Sequence, residues 1–177
     1  EPVYYKIESN DSFSLYVGIL VPDIAGIEKD VSAEIYREED GQRNLFYTLD
    51  GLNYDWPQYY EEFAGDDYFW GPEFKVEDAE KFSPKGREVE AGIYLVKVFS
   101  RDNLGKYVFV VGEKEEFPLV EIINTFKVLP KLKSDFFEKS AWSAFSNRIG
   151  VFLIIIFVIS LAIILFFVLF VIRKFYK

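Results

Sequence analysis

The sequence predicts a mainly β fold: an antiparallel β-sandwich over residues 1–117, an amphipathic helical segment at 118–148, one transmembrane helix at 149–172 and a basic tail at 173–177. Three observations predict it. Short apolar or alternating runs separated by turn formers fill the chain to about residue 112. From Pro118 the apolar residues recur at helical spacing. From Ile149 to Ile172 there are 24 residues without a charge.

The strand signals come in order. Val3–Ile7 is rich in β-formers, and Leu15–Val21 is almost continuously apolar up to Pro22-Asp23. Val31–Tyr36 alternates, and Leu45–Leu49 follows the turn signal Asp40-Gly41. Tyr68–Trp70 starts a strand that Gly71-Pro72 is expected to break. Ile93–Phe99 and Lys106–Val111 read as a hairpin through the turn-rich link Ser100–Gly105. Pro57–Phe63 is the one earlier stretch that admits a turn or two of helix.

Beyond Pro118, Leu119, Ile122, Ile123, Phe126, Leu129 and Leu132 fall on one helical face, with Glu121, Asn124, Lys127 and Lys131 opposite. Pro130 predicts a kink or two helices meeting. The apolar stripe has to be covered. Packing across an open face of the sandwich is the favoured cover, and a stalk or partner-binding helix is the other. Phe136, Phe137 and Trp142 approach the membrane and suit an interfacial aromatic belt.

The 24-residue apolar run is long enough to cross a hydrocarbon core of about 30 Å as a helix rising about 1.5 Å per residue. Ser160 is its one polar side chain, and serine bonds back to its own helix. Arg148 borders one end; Arg173, Lys174 and Tyr176 border the other. All 29 acids and 16 of the 20 bases lie in 1–147, which therefore carries −13. The positive-inside rule then places residues 1–147 outside the cytoplasm and the basic tail within it, at a cell membrane. A chain beginning at Glu1 rather than Met fits removal of a secretory signal.

The chain has no His, Cys or Met. Catalytic triads, Cys-His pairs, disulfides and His/Cys metal sites are thereby excluded, and no cofactor is expected. An acidic chain of net charge −9 is a poor partner for nucleic acid. The span holds no ionisable residue and so offers no ion or proton path.

The segment Ala91-Gly92-Ile93-Tyr94 with Val98, and Gly105-Lys106-Tyr107-Val108, resembles the closing hairpin of bacterial pre-peptidase C-terminal-type domains. Those are secreted, jelly-roll-like β-sandwiches. The resemblance covers about residues 70–112; the N-terminal half and the helical segment depart from it. It implies a jelly-roll-like ectodomain acting as a binding or accessory module without catalytic residues. The whole chain is similar to single-pass envelope proteins made of a sandwich and one membrane helix.

Residues 54–70 hold eight aromatics and five acids. Tyr54, Trp56, Tyr59, Tyr60, Tyr68 and Trp70 are the candidate contact residues. Such rings cap a sandwich, form a protein interface, or stack on sugars. Glu61, Glu62, Asp66 and Asp67 are the acids a glycosidase-type reading would need. No dedicated metal loop is present, and Asp66 and Asp67 are only weak calcium candidates. The expected role is a non-catalytic, membrane-anchored accessory or structural subunit, in contact with lipid and with other subunits of a homo- or hetero-complex. The alternative is a membrane-tethered glycan- or cell-wall-binding module using the aromatic-acidic loop.

Overall fold

The computed structural model describes residues 1–113 and 119–175. The chain divides into two compact units. One comprises Glu1–Tyr60 with Asp67–Phe117; the other comprises Glu61–Asp66 with Pro118–Lys177.

The first unit is antiparallel β-structure. Its strands are β1 (Val3–Ser9), β2 (Phe13–Leu15), β3 (Val17–Pro22), β4 (Ser32–Glu39), β5 (Gln42–Leu49), β6 (Gln58–Glu61), β7 (Asp66–Phe74), β8 (Arg87–Val89), β9 (Gly92–Phe99) and β10 (Val108–Val111). They form two four-stranded sheets, ordered β1-β9-β4-β5 and β10-β3-β7-β6, and a small ribbon of β2 and β8. Val17, Ile19 and Val21 of β3 share one core with Ala33 and Ile35 of β4 and with Tyr94, Val96 and Val98 of β9. Alternation therefore dictates which face is inside, and β9 follows it along its length.

Asp40 and Gly41 both have positive φ (51° and 74°), as a two-residue type I′ hairpin between β4 and β5 requires. Trp56 lies in the core, and its Nε1 donates to the Gly51 carbonyl at 2.7 Å. Gly51 and Gly71 make room for it. A Cβ at Gly71 would sit 2.6 Å from both the indole and the Ile19 carbonyl. The Tyr16 hydroxyl donates to the buried Glu73 carboxylate at 2.6 Å, and Lys75 pairs with the other oxygen at 2.8 Å. Burial and the Glu73 contact push the Tyr16 phenol up.

Four expectations are corrected. The 93–99 and 106–111 runs are not a hairpin: β9 and β10 belong to different sheets, and the 100–105 link carries the chain across. Left-handed Asn103 and Gly105 (φ 56° and 103°) turn that link, and Tyr5 on β1 stacks on Phe109 of β10 at 4.3 Å. Gly71-Pro72 does not end its strand. The β3–β7 register shifts between Gly18 and Leu20, so the pair is absorbed as a bulge where no ladder donor is needed. Pro57–Phe63 makes no helix; its 58–61 portion is β6. Tyr16, within the apolar 15–21 run, separates β2 from β3.

The second unit contains α1 (Leu119–Asp135), a short 3₁₀ helix at Ala141–Phe145 and α2 (Arg148–Phe175). Pro130 lies inside the single helix α1, so of the kink and the two meeting helices expected there, the second is not formed. The side chains of 119–123 lie outside the described residues. Between Arg148 and Lys174, helix α2 holds an 18-residue stretch of mean hydropathy 3.5, of which 6% is buried. It is long and apolar enough to cross a membrane. The Ser160 hydroxyl donates to the Ile156 carbonyl at 2.8 Å, as expected of a serine in an apolar helix.

Trp56→Ala is expected to destabilise the β-unit by about 3–5 kcal/mol, the usual cost of truncating a core aromatic. Leu104→Ala, at a position 72% exposed, is expected to be near neutral. Urea unfolding of the full chain in detergent, followed by near-ultraviolet circular dichroism, compares them. On the outer face, Glu34 stands opposite Lys97 across the β4–β9 ladder, 2.8 Å away. The hydrogen bonds from Lys97 and Tyr36 hold the Glu34 carboxyl below its ordinary value of 4.5. The lowered value makes the folded state bind its proton less readily than the unfolded chain. The pair's contribution is thus present above pH 4.5 and lost as pH falls through the lowered value. Glu34→Gln should flatten the acid limb of the stability–pH curve while leaving its shape at neutral pH unchanged.

Candidate functional site

The densest polar cluster of the second unit joins the 61–66 segment to the end of α1. Glu61 starts the tip between β6 and β7. Its carboxylate accepts the amides of Phe63 at 2.9 Å and Ala64 at 2.6 Å, and its carbonyl accepts the Gly65 amide at 2.9 Å. Gly65 takes a left-handed φ of 68°, which returns the chain into β7. These bonds shape the loop so that the carbonyls of Ala64 and Gly65 and the Asp66 side chain converge on the same two lysines.

Asp66 is fully buried. Lys133 Nζ lies 2.6 Å from its Oδ2, and both side chains are 1% exposed. The same ammonium donates to the Ala64 carbonyl at 2.6 Å. Lys139 Nζ lies 3.3 Å from Oδ1 and 3.4 Å from the Gly65 carbonyl. Both ammonium groups stand 5.6 Å from the centroid of the buried Phe137 ring. Lys133 also occupies the last turn of α1, where the helix dipole favours a cation. Left-handed Glu138 (φ 56°) reverses the chain, and the Lys139 amide closes onto the Lys133 carbonyl at 2.8 Å.

A buried ion pair owes its tolerance to complete hydrogen bonding, since desolvating each ion costs several kcal/mol. Here both carboxylate oxygens accept, and Lys133 has a carbonyl as a second acceptor. The cluster acts as a clamp that fixes the tip and the end of α1 to each other.

The start of α2 is built on the same tip. Arg148 pairs with Glu62 at 2.7 Å, and the Ile149 amide donates to the Phe63 carbonyl at 3.1 Å. Asn147 caps the helix, its Oδ1 accepting the Gly150 amide at 2.7 Å. Gly150 has no room for a side chain: a Cβ would lie 2.2 Å from the Ala144 carbonyl. The 3₁₀ helix and the first turn of α2 are therefore in direct backbone contact.

The sequence-predicted residues separate accordingly. Trp56 and Trp70 are buried, at 4% and 7% exposure, so neither offers a ring for stacking on a sugar or a partner. Trp70 packs edge-on against Tyr59 at 4.8 Å and Phe82 at 5.1 Å. Tyr59 and Tyr68 are half-buried, while Tyr54 and Tyr60 are exposed. Burial raises the Tyr54 phenol, and the charge of Glu73 adds to it. Phe137, expected at the lipid interface, is instead buried over the lysines, and Phe136 is half-buried against it. Trp142, Arg148, Arg173 and Lys174 are exposed. Tyr176 lies outside the described residues.

Asp66, weighed as a calcium ligand, is neutralised by lysines instead. The Asp67 carbonyl accepts the Asp23 amide at 2.9 Å. Among the described residues no cluster of three or more acids is arranged to hold a metal ion. Of the acids a glycosidase reading needs, Glu61 caps the loop, Glu62 faces Arg148 and Asp66 is in the clamp.

Sequence reasoning missed Lys133 and Lys139. The signal was present for Lys133: it lies four residues after Leu129 and seven after Phe126, on the apolar stripe itself. Leu132, assigned to the stripe, is 38% exposed. No known protein family, curated protein or solved structure matches the chain.

Asp66→Asn is expected to destabilise the helical unit by about 3–5 kcal/mol, because it strands the Lys133 charge in a buried site. The double variant Asp66→Leu with Lys133→Met should recover most of that loss, since it removes both charges. Glu62→Gln, on an exposed pair, should be near neutral. Thermal unfolding of the full chain in detergent, with far- and near-ultraviolet dichroism, ranks the three.

Proposed function

We propose that the chain is a non-catalytic, single-pass accessory or structural subunit of an envelope or membrane complex. Its β-unit is outside the cytoplasm and its basic end is within. The observation that carries this reading is the use made of the acids of the 61–66 tip. Those that a hydrolase would need free are committed to shaping the tip and holding it to the helical unit. The membrane part of the reading is supported by the apolar α2 and by the charge asymmetry across it, with Arg173 and Lys174 at one end and the acidic 1–147 before the other.

Contact with other subunits falls to surfaces still open. Tyr54 and Tyr60 are exposed on the β-unit, at 37% and 56%. Tyrosine combines large area with a polar tip and low entropy cost, which suits protein contacts. The glycan-binding alternative is weaker, because both tryptophans that would serve as stacking platforms are buried.

Native membranes solubilised in mild detergent, with the full chain tagged, should yield a discrete homo- or hetero-oligomer on size-exclusion chromatography coupled to light scattering. Tyr54→Asp with Tyr60→Asp should weaken it without unfolding the β-unit. Recovery of a clean monomer from native membranes would contradict the proposal.

A further inference from the structure

We infer that the 61–66 tip is a lipid-contacting element: Phe63 and Trp142 form an aromatic collar at the bilayer surface around the first turn of α2. This inference rests on the reading of α2 as a membrane-spanning helix.

Ile149 is the first residue of the uncharged run. Its amide donates to the Phe63 carbonyl at 3.1 Å, so the tip reaches the level at which the apolar surface begins. Arg148, one residue earlier, stands 5.8 Å from the Phe63 ring and pairs with Glu62. The 3₁₀ helix that carries Trp142 touches the same turn through Ala144, Phe145 and Gly150. The interfacial layer on each side of a hydrocarbon core is about 5–7 Å deep. A group in contact with Ile149 or Gly150 falls within that depth.

Both rings are open. Phe63 is 61% exposed and Trp142 is 80% exposed. Leaving them in water forfeits the gain from burying apolar area, about 25 cal/mol per Å². Trp at this level is the residue type found at lipid headgroups. The occupant is lipid because the surface is continuous with α2, whose apolar stretch is only 6% buried and must itself be covered by acyl chains. The clamp explains how the tip is kept there: Asp66 and Ala64 hold it from one side through Lys133, while Glu62 and Phe63 are held by the start of α2.

The chain has no cysteine, so each introduced thiol is a unique label site. Full-length Phe63→Cys, Trp142→Cys and Ser160→Cys are spin-labelled and reconstituted in phosphatidylethanolamine–phosphatidylglycerol vesicles. Relative accessibility to oxygen and to a water-soluble nickel chelate then gives depth. Glu62→Cys, on a side chain 62% exposed, serves if Phe63→Cys misfolds. The expected order runs from interfacial depth at 63 (or 62) and 142 to mid-bilayer depth at 160. Labels at 63 and 142 that meet the nickel chelate as freely as a spin label in water, with 160 deep, overturn the collar and leave the span intact. Labels at 63 and 142 shielded from both reagents, with 160 deep, mean a protein covers the site and also overturn it. A water-exposed label at 160 overturns the spanning reading and the collar together.

Discussion

One buried ion pair organises the helical unit. Asp66 and Lys133 sit together without solvent, and a charge in that position is tolerated only when its partner is in place. Lys133 is rigidly positioned by α1, and Asp66 by the tip between β6 and β7. The pair therefore has a small tolerance for displacement of either element. Around it stand Lys139, the carbonyls of Ala64 and Gly65, and the Phe137 ring, each of which gains a partner by the same placement. The tip so fixed then presents the Phe63 carbonyl to the Ile149 amide in the first turn of α2, a group with no intrahelical acceptor.

The β-unit rests on a different balance. Its core is aliphatic and aromatic, closed by alternation on β4 and β9 and by the wholly buried β3. Its polar interior includes Glu73 shared between Tyr16 and Lys75, the Trp56 indole bonded to the Gly51 carbonyl, and the buried Ser32 hydroxyl, which accepts the Gly51 amide at 3.0 Å. Packing supplies the stability there, and the glycines at 51 and 71 define where the indole goes.

Much of this was legible in the sequence, and the exceptions have physical causes. Strands β1, β3, β4, β5, β7, β9 and β10 carry alternation or apolar runs, and the turn at Asp40-Gly41 carries its own chemistry. The apolar length of α2 needs no tertiary knowledge. Strand β6 was hidden because Pro57–Phe63 admits a turn or two of helix, and β8 because its three residues include two charges. The sheet assignment of β9 and β10 was hidden because a six-residue link serves equally for a hairpin or for a crossing between sheets about 10 Å apart. The burial of Trp56 depends on glycines 5 and 15 residues away in the chain, which no local pattern reports. In the site, Asp66-Asp67 reads as a weak calcium candidate and Lys133 receives no role, and only the meeting of Asp66 with Lys133, 67 residues apart, gives either one.

The most direct test of the clamp is hydrogen–deuterium exchange on the full chain in lipid nanodiscs, comparing the native protein with Lys133→Met. Loss of protection in 61–66 together with 133–150, with β4 and β9 unchanged, is the predicted result. Unchanged protection of the 61–66 tip in the variant would contradict the account, because the tip would then be held by something other than the buried pair.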